Sequence, residues 1–184
     1  MSHIFDHKQF KKLDSPARRE SMPPELVCEQ LQLNSQMVVA DVGCGVGYFA
    51  FPFSEIVERV HAIDISPIMI DELNRRISTQ INLIPHLGDF NESLDADSLD
   101  LFFTATVAHE LEDILDFSKK AVHKLKKGGR IAFLDFKKIE SSFGPPYEKR
   151  IAAKELITLF ETLGLSKITE YAIKDNFYLV IGQK

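Results

Sequence analysis

The segment Val38-Val39-Ala40-Asp41-Val42-Gly43-Cys44-Gly45-Val46-Gly47-Tyr48 constrains the fold of this chain more than any other. An apolar run of strand length enters a turn with glycine at every second position, and helix-compatible sequence follows. A strand buried on both faces is continuously apolar instead of alternating, which is the mark of a parallel sheet. Glycines in such a turn adopt conformations closed to other residues and let a ligand approach the backbone. Taken alone, the turn has two readings: a ligand cradle or simply a tight strand-to-helix connection.

The same alternation recurs along the chain. Strand-like runs occupy 37–42, 59–64, 82–86, 99–104 and 130–135, with helical patterns at 48–58, 67–80, 114–125 and 152–163. The spacing predicts βαβ units, and therefore a doubly wound α/β sheet with helices on both faces. Lys126-Lys127-Gly128-Gly129 reads as a helix stop, with cations at the negative end of the helix and glycine able to take positive φ. Beyond Gly164, runs at 167–173 and 177–182 are separated only by Lys174, Asp175 and Asn176. A connection that short makes a hairpin, so the sheet ends on an antiparallel strand. Upstream, Pro23-Pro24 opens a helix over 25–33. Residues 2–24 are polar and irregular, with Lys11, Lys12, Arg18 and Arg19 clustered, and are expected to form an arm or lid with at most one short helix. The division is thus an arm over 1–24 and one domain over 25–184.

Length and composition narrow the classes. The 184 residues, 45% of them hydrophobic, suffice for one ordinary core. A net charge of -5 supplies no basic field for counterion release, so no stable nucleic-acid binding is expected. No apolar run approaches the roughly 20 residues of a membrane span, so no insertion is expected. Cys28 and Cys44 form no CxxC pair, which suits a reduced cytoplasmic protein. A monomer or homodimer is anticipated.

The turn has two further peculiarities. A dinucleotide fingerprint places its third glycine inside the helix as G-x-G-x-x-G, whereas Gly47 comes one residue early and Tyr48 follows it. Asp41 stands two residues before Gly43, where it would repel a pyrophosphate but hydrogen-bond an ammonium or organise the loop around one. A zwitterionic, cationic ligand therefore fits better than NAD, and a Rossmann oxidoreductase becomes the weaker alternative.

With these residues on view, the segment resembles the first motif of class I S-adenosylmethionine-dependent methyltransferases: an acid, any residue, then G-x-G-x-G. Further segments are similar in order. Asp64 ends the second strand and is followed by Ile65, Gly88-Asp89-Phe90 follows the third, and Val107-Ala108-His109-Glu110-Leu111 follows the fourth. The last is similar to the quinone and sterol methyltransferase-like branch, methyltransferase type 11, although Glu110 stands where that branch often has a second histidine. Lys127-Gly128-Gly129-Arg130 is similar to the family's approach to strand five.

The resemblance implies a mostly parallel seven-stranded sheet of order 3-2-1-4-5-7-6 with S-adenosylmethionine as cofactor. It implies a methionine-side cradle at Asp41, Gly43, Cys44, Gly45 and Gly47, with Cys44 a small filler and not a nucleophile. Asp64 would accept from both ribose hydroxyls, with Ile65 beside it. Asp89 and Phe90 would meet adenine, and Thr104 would complete the set. For each carboxylate the alternative is a helix cap.

Methyl transfer from a sulfonium is an in-line displacement in which alignment supplies much of the rate. An acceptor hydroxyl or carbon acid needs a base, and His109, with Glu110 beside it, is the candidate by type and position at the C-terminal edge of strand four. Its alternative is a cap or a packing residue. Tyr147 and Arg150, on the long loop after strand five, are candidate substrate contacts. A zinc site is not indicated, because Asp113 replaces the second histidine of H-E-x-x-H. Two cysteines are too few for arsenite chemistry, and no Asn-Pro-Pro-Tyr-like segment points to nucleic-acid amino groups. The implied reaction is methyl transfer to a small molecule. The alternatives left open are a cofactor-binding protein without methyltransferase activity and an RNA or protein methyltransferase.

Overall fold

The computed structural model describes residues 15–141 and 143–184. Lys11 and Lys12 of the basic cluster lie outside the described residues. The elements in order are α1 (Pro16–Ser21), α2 (Pro24–Leu31), β1 (Val38–Val42), α3 (Ala50–Ser54), β2 (Arg59–Asp64), α4 (Pro67–Arg76), β3 (Leu83–Leu87), α5 (Phe90–Ser93), β4 (Leu99–Ala105), α6 (Ile114–Lys124), β5 (Leu125–Phe136), α7 (Ala153–Thr162), β6 (Ser166–Ile173) and β7 (Phe177–Gln183). Single 3-10 turns at Ala108–Glu110 and Tyr147–Lys149 follow β4 and β5.

One seven-stranded sheet runs in the order β3-β2-β1-β4-β5-β7-β6. The first five strands are parallel, whereas β7 pairs antiparallel with both β5 and β6. Alternation along β1 sends Val39 into one core layer with Leu101, Phe103 and Leu134, and Ala40 and Val42 into the other with Phe102, Phe133 and Val180. Burial on both faces is what made these strands continuously apolar. Met22, at the end of the arm, is 1% exposed and belongs to the first layer.

The helices are shorter than their patterns, and side chains close the turns that follow them. Asn82 Nδ2 donates to Ser54 O and Val57 O, ending α3 well before residue 58. Gln80 Oε1 accepts from Ser78 N and Thr79 N, closing a local turn beyond Arg76. The expected helix stop at 126–129 is corrected: α6 ends at Lys124 and these residues belong to β5. The β4 ladder runs from Leu99–Leu125 straight to Leu101–Arg130, leaving 126–129 as an irregularity. Gly128 N donates to Lys184 O there, and Lys184 N donates to Gly129 O. The lysines serve other partners: Lys126 Nζ pairs with Asp100, and buried Lys124 donates to Asn91 O and Leu94 O.

Candidate functional site

The C-terminal ends of the parallel strands gather nearly all the singled-out residues, as open α/β sheets require. Strand β1 delivers the turn, whose shape comes from backbone ties to its neighbours. Gly43 N and Cys44 N both donate to Ile63 O of β2, and Arg76 of α4 donates to Val46 O. Thr104 is buried, and its hydroxyl donates to Val42 O at 2.8 Å. That corrects the expectation that Thr104 contacts the cofactor directly: it fastens β4 to the strand that carries the turn.

The three glycines have different tasks. Gly45 takes φ +54 and has nothing within 4 Å of where a Cβ would stand, so its face is open. Gly43 is pressed against Val107, the residue that leads into the segment carrying His109. A Cβ on Gly47 would stand 2.7 Å from Leu73 and 2.8 Å from Phe51, so this glycine is required by helix packing and not by a ligand. Cys44 is 6% exposed within the core, and burial pushes its thiol well above the ordinary range, consistent with a filler.

Asp41 lies beneath the turn at 2% exposure, and among the described residues its Oδ2 has no hydrogen-bond partner. Burial, and then the nearby Asp64, push its carboxyl up to about 7, against the pull of Arg18 and of the Ala50 N–H. Asp64 spans the gap between the strands: Oδ2 accepts from Gly45 N at 2.8 Å and Oδ1 from Ser66 N at 2.9 Å. Burial raises its carboxyl as well. Beyond it, Ile65 is 75% exposed and Leu87, which sequence reasoning passed over, 56%. Gly88 (φ +120) also faces open space. Asp89 caps α5 by accepting from Asn91 N, while its exposed position leaves a second oxygen facing solvent. Phe90 is corrected: at 4% exposure it packs edge-on against Phe102 and Phe117 in the core, so the apolar surface at this edge belongs to Ile65 and Leu87.

Acid below the turn, open backbone at Gly45 and Gly88, a carboxylate at the end of β2 and exposed aliphatics beside it suit a cationic nucleoside with an amino-acid tail. A pyrophosphate would meet Asp41 where it needs donors.

On the other side of the turn, β4 is followed by Thr106 in the left-handed region (φ +58), its N–H held by Leu134 O. The sharp bend turns His109 back onto β5. There Asp135, 1% exposed, accepts from His109 N at 3.1 Å and from Phe136 N at 2.7 Å, and its Oδ1 stands 2.7 Å from His109 Nδ1. Glu110 Oε1 stands 3.8 Å from His109 Nε2, and the Phe136 ring lies edge-on at 5.5 Å. Asp135 is the partner of His109 that sequence reasoning missed. The available signal was a carboxylate between Leu134 and Phe136 in a buried strand, which requires a partner.

Arg150 is corrected too. It is 2% exposed, and its guanidinium donates to Pro145 O, Lys137 O, Ile139 O and Phe143 O. It gathers the loop after β5 and has no face left for a substrate. Tyr147 is 41% exposed, with Lys138 Nζ 5.9 Å from its ring. At the arm, Tyr48 Oη donates to Met22 O, and the Arg18 guanidinium lies 4.6 Å from the Tyr48 ring. Among the described residues, no cluster of three or more His, Cys, Asp or Glu could hold a metal, and no helix is long and apolar enough to cross a membrane.

Comparison with known proteins agrees with this geometry. The family model for a methyltransferase domain matches residues 40–133. A malonyl-[acyl-carrier protein] O-methyltransferase from Serratia marcescens is 31% identical over 94 residues, covering 50% of this chain and 36% of the relative. The crystal structure of a SAM dependent methyltransferase from Aquifex aeolicus superposes with a TM-score of 0.88 at 27% identity, over 97% of this chain and 98% of that one. A phosphoethanolamine N-methyltransferase from Haemonchus contortus, solved with phosphomonomethylethanolamine and S-adenosylhomocysteine, shares the fold at a TM-score of 0.72 and 12% identity, over 87% of this chain and 51% of that one.

Proposed function

Since the chain belongs to the methyltransferase domain family, type 11, with S-adenosylmethionine as its cofactor, we propose that it transfers the methyl group in line to a small-molecule acceptor. The observation that carries this reading is the open cradle formed by Gly45, Asp64 and Gly88, with buried acid below it and His109 across the turn. When bound, the cofactor supplies a sulfonium methyl: the acceptor–carbon bond forms as the carbon–sulfur bond breaks, and that bonding pair leaves with sulfur.

The chain's own residues bind and orient. Asp64 has lone pairs beyond the two backbone bonds and would hold the ribose hydroxyls; Ile65 and Leu87 would cover the adenine, and Asp89 would offer its free oxygen at the edge of the ring. Asp41 would supply negative charge under the ammonium, and the arm around Arg18, beside Tyr48, would cover the amino-acid tail. His109 is the side chain assigned to the acceptor, with Tyr147 on the loop after β5 a second candidate contact.

The test is tritium transfer from methyl-labelled S-adenosylmethionine into a small-metabolite extract. A labelled product that depends on the protein is expected. Tight S-adenosylhomocysteine binding with no labelled product would instead leave a cofactor-binding protein, and label found in the RNA or protein fractions would replace the acceptor class.

A further inference from the structure

We propose that Asp135 fixes His109 as a one-directional base, so that the acceptor carries its proton on oxygen or carbon at the reacting atom; this rests on the methyl-transfer reading above. Asp135 accepts two main-chain N–H bonds, from His109 on Oδ2 and from Phe136 on Oδ1, and its Oδ1 stands 2.7 Å from His109 Nδ1 in a site 1% exposed. With a main-chain donor already on each oxygen, the carboxyl group acts as an acceptor toward the ring. Nδ1 of His109 therefore carries the ring proton, and Nε2 presents its lone pair. The same carboxylate takes the His109 main-chain N–H, so it is fixed relative to the ring, and a flip of the imidazole would break the Nδ1 contact.

Nε2 is where a proton can arrive. Glu110 stands 3.8 Å away and Asp135 lies on the far side of the ring, so an imidazolium formed here sits between two carboxylates. The Phe136 ring borders the imidazole, and Val107 ties the segment to Gly43, placing the base beside the turn that holds the cofactor. As the acceptor–methyl bond forms, the acceptor's proton passes to Nε2 and then, directly or by way of Glu110, to water. A carboxylate or thiolate acceptor, already ionised, would have no use for this arrangement. An acceptor with a hydroxyl or an activated C–H needs it. Asp135 is thus a positioning residue and His109 the catalytic one.

Nitrogen-edited NMR of the histidine rings, recorded on the full chain with S-adenosylhomocysteine bound, reads the tautomer directly. His109 is expected with its proton on Nδ1. In Asp135→Asn one of the N–H groups facing this side chain meets the amide NH2 instead of an acceptor, which weakens the hold on the Nδ1-protonated ring. Labelled-methyl transfer should then fall about 100-fold, with S-adenosylhomocysteine affinity unchanged and partial recovery in Asp135→Glu. The labelled product should withstand mild alkali and pass through a cation exchanger, as a methyl ether or C-methyl compound does.

A proton on Nε2 in the unsubstituted protein, or a tautomer and rate indifferent to Asp135→Asn, would overturn the proposal. So would label released by alkali as methanol, which marks an ester, or retained by the exchanger, which marks an amine. Should Asp135→Asn not fold, the tautomer of the unsubstituted protein and the activity of His109→Gln decide. Failure to bind S-adenosylhomocysteine at all would sink the broader reading instead.

Discussion

Gly45 and Gly47 stand two residues apart in one turn, yet they answer to different forces. Both have positive φ, so alanine at either costs about 1 kcal/mol in backbone strain. At Gly47 the new methyl also meets Leu73 and Phe51, adding about 1–3 kcal/mol of overpacking. Gly47→Ala should therefore lower the urea midpoint clearly, whereas Gly45→Ala should lower it little but weaken S-adenosylhomocysteine at least about tenfold by filling the open face. Urea titration and calorimetry on the two variants separate the roles; equal losses of stability would contradict them. Asp41 titrates in the physiological range. Its folded carboxyl lies at about 7 against an ordinary 3.8, so the folded state holds a proton that the unfolded state has lost. Between these values stability falls as pH rises, and an ammonium bound above the carboxylate reverses that cost. S-adenosylhomocysteine should bind more tightly as pH rises from 6 to about 7.5, releasing protons on binding. Asp41→Asn should raise stability at pH 8 while removing this pH dependence, as checked by calorimetry in buffers of different ionisation enthalpy.

At the scale of elements, β2 and β3 are joined by a pair that the cofactor site does not use. His61 Nδ1 and His86 Nε2 are 2.9 Å apart, and burial lowers His61 to about 4, with His86 shifted the same way. One ring donates to the other while at least one of them is neutral, and the bond is lost when both are charged. Because the folded His61 lies below its unfolded value of 6.5, the unfolded chain gains protons first as the medium acidifies. Stability held above pH 6.5 is lost as pH falls toward 4, and melting temperatures measured between pH 7 and 4.5 should show it. The double replacement His61→Leu with His86→Leu should flatten that decline.

The parallel strands were legible in the sequence because burial on both faces removes polar residues from them. The start of β5 was not, since 126–129 owe their strand geometry to the far C-terminus at Lys184. Arg150 looked like a loop charge because four carbonyl partners from one folded loop leave no periodic trace. Asp135 stayed hidden for a similar reason: its partner lies 26 residues away and meets it only across the sheet edge.

For the whole molecule, one topology brings the ends of β1, β2, β3, β4 and β5 to a common edge, with cofactor residues on one side of the turn and His109 on the other. The early third glycine, packed on Leu73, and the acid at Asp41 are the two features by which this turn departs from a dinucleotide fingerprint. The direct measurement is a calorimetric titration of the full chain with S-adenosylhomocysteine and, separately, with NAD. One equivalent of S-adenosylhomocysteine should bind, with affinity lost in Gly45→Val and in Asp64→Ala, and NAD should give no heat. Binding of NAD, or no binding of S-adenosylhomocysteine, would contradict the account.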